Sequence, residues 1–177
     1  MFGLTRKKRR RSLEDFPPTD PETLLDSQSL RGAIVGAVVA VIVFNYAWIL
    51  SADLFGKVFP WLSMLQGVIV GQMVRRMGHG FDWRFPVIAA IAAYVGSISA
   101  NFIIAAMTTG ADLGVGTMEV LGSVTTMTFG VFFTETFNVV DQIYAATAAA
   151  IAAFFARRIL NRREVLELRK YQEAKRV

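Results

Sequence analysis

Apolar residues gather in four long blocks, 32–52, 58–74, 85–107 and 139–156, with polar residues confined to the stretches between them. At 1.5 Å of helical rise per residue each block is about long enough to cross a hydrocarbon core of roughly 30 Å. The second and fourth are the shortest and are expected to tilt least. Residues 53–57 are all that join the first block to the second, so those two form a tight antiparallel hairpin. The connection 75–84 is equally compact and holds Gly78 and Gly80. The expected architecture is an all-α membrane protein, a four-transmembrane-helix bundle over 31–156. A tail of 1–30 precedes it, and a C-terminal cytoplasmic helix over 157–177 extends the last span.

The long connection 108–138 contains a fifth apolar stretch, 118–137. Val120, Leu121, Val124, Met127 and Val131 recur there at helical spacing, and Gly122 and Gly130 offer places to bend. A fifth crossing would deliver Arg157, Arg158, Arg162 and Arg163 to the face opposite every other cluster of bases. The stretch is therefore expected to be a re-entrant or interfacial helix on the outer face of the bundle.

Charge placement gives the orientation. The N-terminal region through Arg31 carries seven bases, 75–84 three and the region after Ala156 eight, so that 18 of the 19 bases lie on one side and only Lys57 on the other. The segment 108–138 has Asp112, Glu119 and Glu135 and no base. The positive-inside rule then predicts that both termini are cytoplasmic. No signal peptide is expected, because no apolar run closely follows the basic stretch Arg6, Lys7, Lys8, Arg9, Arg10 and Arg11. Asp20, Pro21 and Glu22 read as a helix N-cap, a first-position proline and a first-turn acid, which predicts a short interfacial helix over 21–29. Arg163/Glu167 and Arg169/Glu173, each four apart with no breaker between Ala156 and Glu173, predict that the fourth helix runs on into the cytosol.

Composition narrows the chemistry. The 177 residues are 54% hydrophobic and 19% charged, with a mean hydropathy of +0.43, too apolar for an ordinary soluble domain. Four spans and their tails occupy this length, leaving no room for a separate catalytic domain. There is no cysteine and one histidine, His79. That inventory excludes thiolate nucleophiles, iron–sulfur and zinc–thiolate centres and bis-histidine haem, so no catalytic, cofactor or metal-binding residue is assigned. The net charge of +5 suggests nucleic acid by composition alone. Bases attached to a membrane span instead read as contacts to anionic lipid, at about 1 kcal/mol each near the surface.

Small residues stand four apart in every block: Gly32/Gly36/Ala40, Ser63/Gly67/Gly71, Ala92/Gly96/Ala100 and Ala145/Ala149/Ala153. In lipid such rows let helix backbones approach closely, either within one chain or between subunits. Polar residues within the blocks are Asn45, Gln66, Gln72, Asn101, Asp141 and Gln142. Asp141 is the sole carboxylate among them, and it reads either as an ion or partner site or, with Asn138 three residues before it, as the cap of the last helix. Asn45, Gln66 and Asn101 are candidates for hydrogen bonds across helices or for lining a path. Arg75 and Arg76, beside Gly78, His79 and Gly80, are candidates for a lipid head-group contact and otherwise a basic inside turn. Tyr46, Trp48 and Trp61 near one boundary and Trp83 near the other fit interfacial belts.

A first helix opening on Gly32 and Gly36, a second carrying Gly67 and Gly71 and ending in Arg75 before Gly78 and Gly80, and a last helix opening with Asp141 together resemble small, mostly uncharacterised bacterial four-span inner-membrane proteins. The resemblance covers roughly 31–157 and implies the fold and a bacterial inner membrane, not an activity. The long segment 108–138 departs from the short connection expected there. The functional expectation is a non-enzymatic membrane protein, a homo-oligomer or an accessory or scaffold subunit of a larger membrane complex. A small ion or solute transporter, or an effector that senses or perturbs the membrane, stands as the alternative.

Overall fold

In the computed structural model, which describes residues 20–124, 128–130, 134 and 138–175, every element is an α-helix. In chain order they are α1 (Pro21–Asp26), α2 (Leu30–Phe55), α3 (Leu62–Gly78), α4 (Arg84–Leu113), α5 (Thr117–Ser123), α6 (Val139–Ala156) and α7 (Arg162–Ala174). α2, α4 and α6 lie in the three helical stretches long and apolar enough to cross a membrane, whose most apolar windows have mean hydropathies of 2.3, 2.0 and 1.6. This marks a multi-pass membrane protein. α3, at 17 residues, spans about 26 Å and sits at the lower limit of crossing length.

The chain divides into two compact units, 28–158 and a second made of residues up to 27 together with those from 159 onward. In the larger, α3 and α4 pack together as a central pair, with α2 against both on one side and α6 against both on the other. The start of α2, the end of α3, the start of α4 and the end of α6 share one end. The Ser29 amide donates to the Gly78 carbonyl at 2.9 Å and the Arg158 amide to the Gly80 carbonyl at 3.0 Å. Arg31, Arg75, Arg76, Arg84 and Arg157 belong to this basic end. α5 packs on α4.

Close approach at glycine builds this packing. A Cβ at Gly32 would overlap the Met77 carbonyl, one at Gly67 the Ala148 carbonyl, and one at Gly71 would stand 2.6 Å from the Ala152 carbonyl oxygen. At Gly36 it would stand 2.9 Å from the Met77 sulfur. These contacts join α2 to α3 and α3 to α6, so the glycine rows are used inside the chain, where small residues allow dispersion contact between backbones. One core cluster combines Ala33, Ala37 and Ala40 with Val70, Val74, Phe85, Ala89, Ala93, Ala152 and Ala156.

Several boundaries differ from expectation. α3 begins at Leu62 rather than Val58, because Pro60 sits in a turn where the Leu62 amide donates to the Phe59 carbonyl at 3.0 Å. α4 runs six residues past Met107, to a left-handed Gly114 at φ 70°. α1 stops at Asp26, since Ser29 is needed as the N-cap of α2, accepting from the Gly32 amide at 3.0 Å. The fourth helix does not continue into the tail. It ends at Ala156, Arg157 is extended, and α7 is a separate helix opened by a capping box between Asn161 and Glu164. The physical reason is that the Arg158 amide is spent on Gly80, outside its own helix. The expected re-entrant or interfacial course of 118–137 lies partly outside the described residues, Met127 and Val131 included. What is described is α5, which ends one residue after Gly122, and helical residues at 128–130 and 134.

In the smaller unit, Asp20 caps α1 by accepting from the Glu22 amide at 3.3 Å. The Tyr171 hydroxyl on α7 donates to the Glu22 carboxylate at 3.0 Å. That bond holds the Tyr171 hydroxyl above its ordinary value, because it needs the phenol proton and because the carboxylate's charge opposes a phenolate.

Candidate functional site

Four polar side chains meet across α2, α3 and α4. Asn45 donates through its amide nitrogen to the Gly96 carbonyl at 3.0 Å and to the Ser99 hydroxyl at 3.0 Å. Its carbonyl oxygen accepts from the Gln66 amide at 2.7 Å, and the Gln66 oxygen accepts from the Ser97 hydroxyl at 3.1 Å. The Ser99 hydroxyl in turn donates to the Gly96 carbonyl at 2.9 Å. Gln66 and Ser97 are wholly buried and Asn45 nearly so. Burying amides without partners would cost kilocalories each, so their mutual satisfaction is what permits them inside an apolar bundle.

Gly96 makes the network possible. A Cβ there would stand 2.6 Å from the Gln66 amide nitrogen and 3.0 Å from a Val41 methyl. The absent side chain is the space that the Gln66 amide occupies. Asn101, one turn beyond Ser97 on α4, is buried but takes no part in these bonds. Ser97 and Ser99 are the partners that sequence reasoning missed. The available signal was a Ser-x-Ser pair within an otherwise apolar stretch, next to a glycine.

Asp141 is at the start of α6, where its carboxylate accepts from the Asn138 amide at 3.2 Å while the Asn138 side chain accepts from the Val139 amide at 2.7 Å. The pair forms a reciprocal capping box, which supplies acceptors to amides left unpaired at a helix start and places negative charge at the favourable end of the dipole. Asp141 therefore lies on a helix end, apart from the interior network. Arg75 and Arg76 occupy the last turn of α3, half-buried and exposed respectively, followed by His79 in the left-handed region at φ 50°.

The aromatic residues divide. Tyr46, Trp61 and Trp83 are exposed, as a belt requires. Trp48 is not, and the expectation of a belt fails for it. It is only 1% exposed, clustered with Ala52, Ala100 and Ile104, because it shares a helix face with Asn45 and Ala52 and so points at α4. Its indole nitrogen has no hydrogen-bond partner among the described residues.

At the end of the bundle opposite the basic one the packing opens. A cavity of about 200 Å³ lies between the α2–α3 loop and α4, lined by residues that include Asp53, Lys57, Ile104 and Thr108. Another of about 400 Å³ lies between α4 and α5, with Thr109, Glu119 and Ser123 on its walls. Among the described residues no three metal-ligating side chains come together. No protein-family model, curated protein or solved structure matches the chain.

Proposed function

We propose that the protein is a four-span component of the bacterial inner membrane, with both termini cytoplasmic, that works by association rather than by chemistry. It is an accessory or scaffold subunit of a larger membrane assembly, or a homo-oligomer. The observation that carries this reading is the closed state of the interior. Asn45 and Gln66 are bonded to each other and to α4, and Asp141 is bonded to its own helix start. A transport path built on Asp141, Asn45, Gln66 and Asn101 would require breaking these bonds, at roughly 0.6–2 kcal/mol apiece.

What the chain leaves unpaired is surface. On α2, Ile34, Val35, Val38, Val39, Ile42, Val43 and Tyr46 are exposed in one continuous apolar stripe opposite the buried Ala33, Gly36, Ala37, Ala40 and Asn45. Four crossings are supported by the two amide–carbonyl bonds that draw the entry of α2 and the exit of α6 to the same end. They are supported also by the bond between Glu22 and Tyr171, which ties the segment before α2 to the one after α6. An even number of crossings is the topology that permits both.

A photo-crosslinking residue at Ile42 or Val39 in cells tests the reading. It predicts a discrete protein adduct, either a second copy or another membrane subunit, and native mass spectrometry in mild detergent should show the same species. Labelling of lipid alone, with monomers only by mass spectrometry, would overturn it. Reconstituted protein showing a solute or ion flux abolished by Asp141→Asn would replace it with the transport reading.

A further inference from the structure

The basic end of the bundle has a seam whose chemistry the association reading does not use. α2 and α3 meet backbone to backbone there, with Gly32 against the Met77 carbonyl and the Ser29 amide on the Gly78 carbonyl. Arg31 precedes the first of these contact residues and Arg76 the second. Arg31 on α2 and Arg76 on α3 thus each stand next to a residue of the close approach that glycine allows, and both are exposed. Among the described residues neither has an acidic partner, and Asp82, the acid in the α3–α4 turn, bonds with neither.

Toward the middle of the bundle the same seam becomes apolar. Met77 is 39% exposed and its sulfur lies against Gly36, while Val35 and Val39 on α2 are about half exposed. Two guanidinium groups at the rim and a strip of methyl and thioether groups below them match one kind of ligand, an anion carrying alkyl chains. Arginine pairs suit phosphate oxygens through bidentate, charge-assisted hydrogen bonds. We propose that the α2–α3 seam seats an anionic glycerophospholipid, with its phosphate between Arg31 and Arg76 and an acyl chain along Met77, Val35 and Val39. This rests on the membrane-spanning reading, which puts that end at the head-group level.

The test uses the full chain in mild detergent, titrated with phosphatidylglycerol, phosphatidylcholine or inorganic phosphate, with bound lipid counted by native mass spectrometry. Phosphatidylglycerol is expected to bind about tenfold more tightly than phosphatidylcholine, and inorganic phosphate at millimolar concentration should not displace it. Arg31→Gln with Arg76→Gln should abolish that tenfold preference. Arg169→Gln with Lys170→Gln, which removes the same charge from α7, should leave it intact.

Equal binding of the two lipids, an unaffected Arg31/Arg76 variant, or an equal loss in the α7 variant would overturn the seat. Displacement by phosphate alone would make it a site for a soluble anion and overturn the lipid assignment. To separate binding from folding, Arg31→Lys with Arg76→Lys should keep at least part of the preference at an unchanged melting temperature. A lysine pair that melts normally yet binds as weakly as the glutamine pair contradicts the phosphate clamp. If the chain leaves the membrane on alkaline extraction, the membrane reading itself fails. If it stays and shows no head-group preference, only the seat does.

Discussion

The helical bundle and the segments at its far end use the same residue type in opposite ways. Gly32, Gly36, Gly67, Gly71, Gly78, Gly80 and Gly96 each sit where an added Cβ would strike a neighbour, most often backbone or an aromatic ring. Gly56, Gly114, Gly116, Gly122 and Gly130 meet nothing within 4 Å. Gly56 lines the smaller of the two cavities. In the bundle, glycine is a packing element that sets interhelical distance. At the far end it serves the turn, as in the left-handed Gly56 and Gly114. The bundle core is therefore intolerant of added volume and the far end tolerant of it except at Gly110, where a Cβ would stand 2.9 Å from the Val115 carbonyl oxygen.

The largest contrast should come from matched substitutions. Gly67→Leu drives a side chain into the Ala148 backbone, which has no rotamer by which to yield. It should cost about 3 kcal/mol or more, or abolish the folded bundle, in thermal unfolding in detergent. Gly122→Leu should change stability by less than about 0.5 kcal/mol. Equal effects at the two positions would erase the distinction.

Gly96→Ala is the next most informative change, since it displaces the Gln66 amide and leaves Asn45 and Ser97 short of a partner. A loss of about 1–3 kcal/mol is expected. In a Gln66→Ala background the same substitution should cost far less, and a double-mutant cycle measures the difference as coupling. Additive effects would mean that Gly96 and the network are independent.

At the start of α6, Asn138→Ala removes the cap and should lower stability by about 1 kcal/mol, read as faster amide exchange over the first turn. The smallest effect is expected at Tyr171. Its value is raised from 10.0, so the bond to Glu22 is fully present below about pH 10 and is lost as pH rises through the raised value. Amide exchange in α1 should speed up over that interval in the native protein and show no such pH step in Tyr171→Phe.

The helices were legible in the sequence because lipid imposes a length and an apolarity that 32–52, 85–107 and 139–156 plainly satisfy. The capping residues Asp20, Asn138 and Asp141 were legible for a local reason, since a cap and its partner lie within three residues of each other. Contacts between distant segments were not. Nothing in the local pattern around Arg158 announces that its amide will bond Gly80, and that bond is what separates α6 from α7. Trp48 failed for the same reason. Belt and core tryptophans carry the same local signal, and only the position of Ala100 and Ile104 on a neighbouring helix decides between them. The network was half visible, as Asn45 and Gln66 stood out and Ser97 and Ser99 did not.

The central claim is that the chain crosses the membrane four times, with the 17-residue α3 as one of the crossings. Because the sequence has no cysteine, single cysteines can be introduced without background. Lys57→Cys, Asp82→Cys and Glu173→Cys, probed in intact cells with a membrane-impermeant maleimide, test it directly. The account predicts that Lys57→Cys is labelled from outside, while Asp82→Cys and Glu173→Cys react only after the membrane is opened. Labelling of Asp82→Cys together with Lys57→Cys in intact cells would show that α3 does not cross, and the four-span account would be wrong.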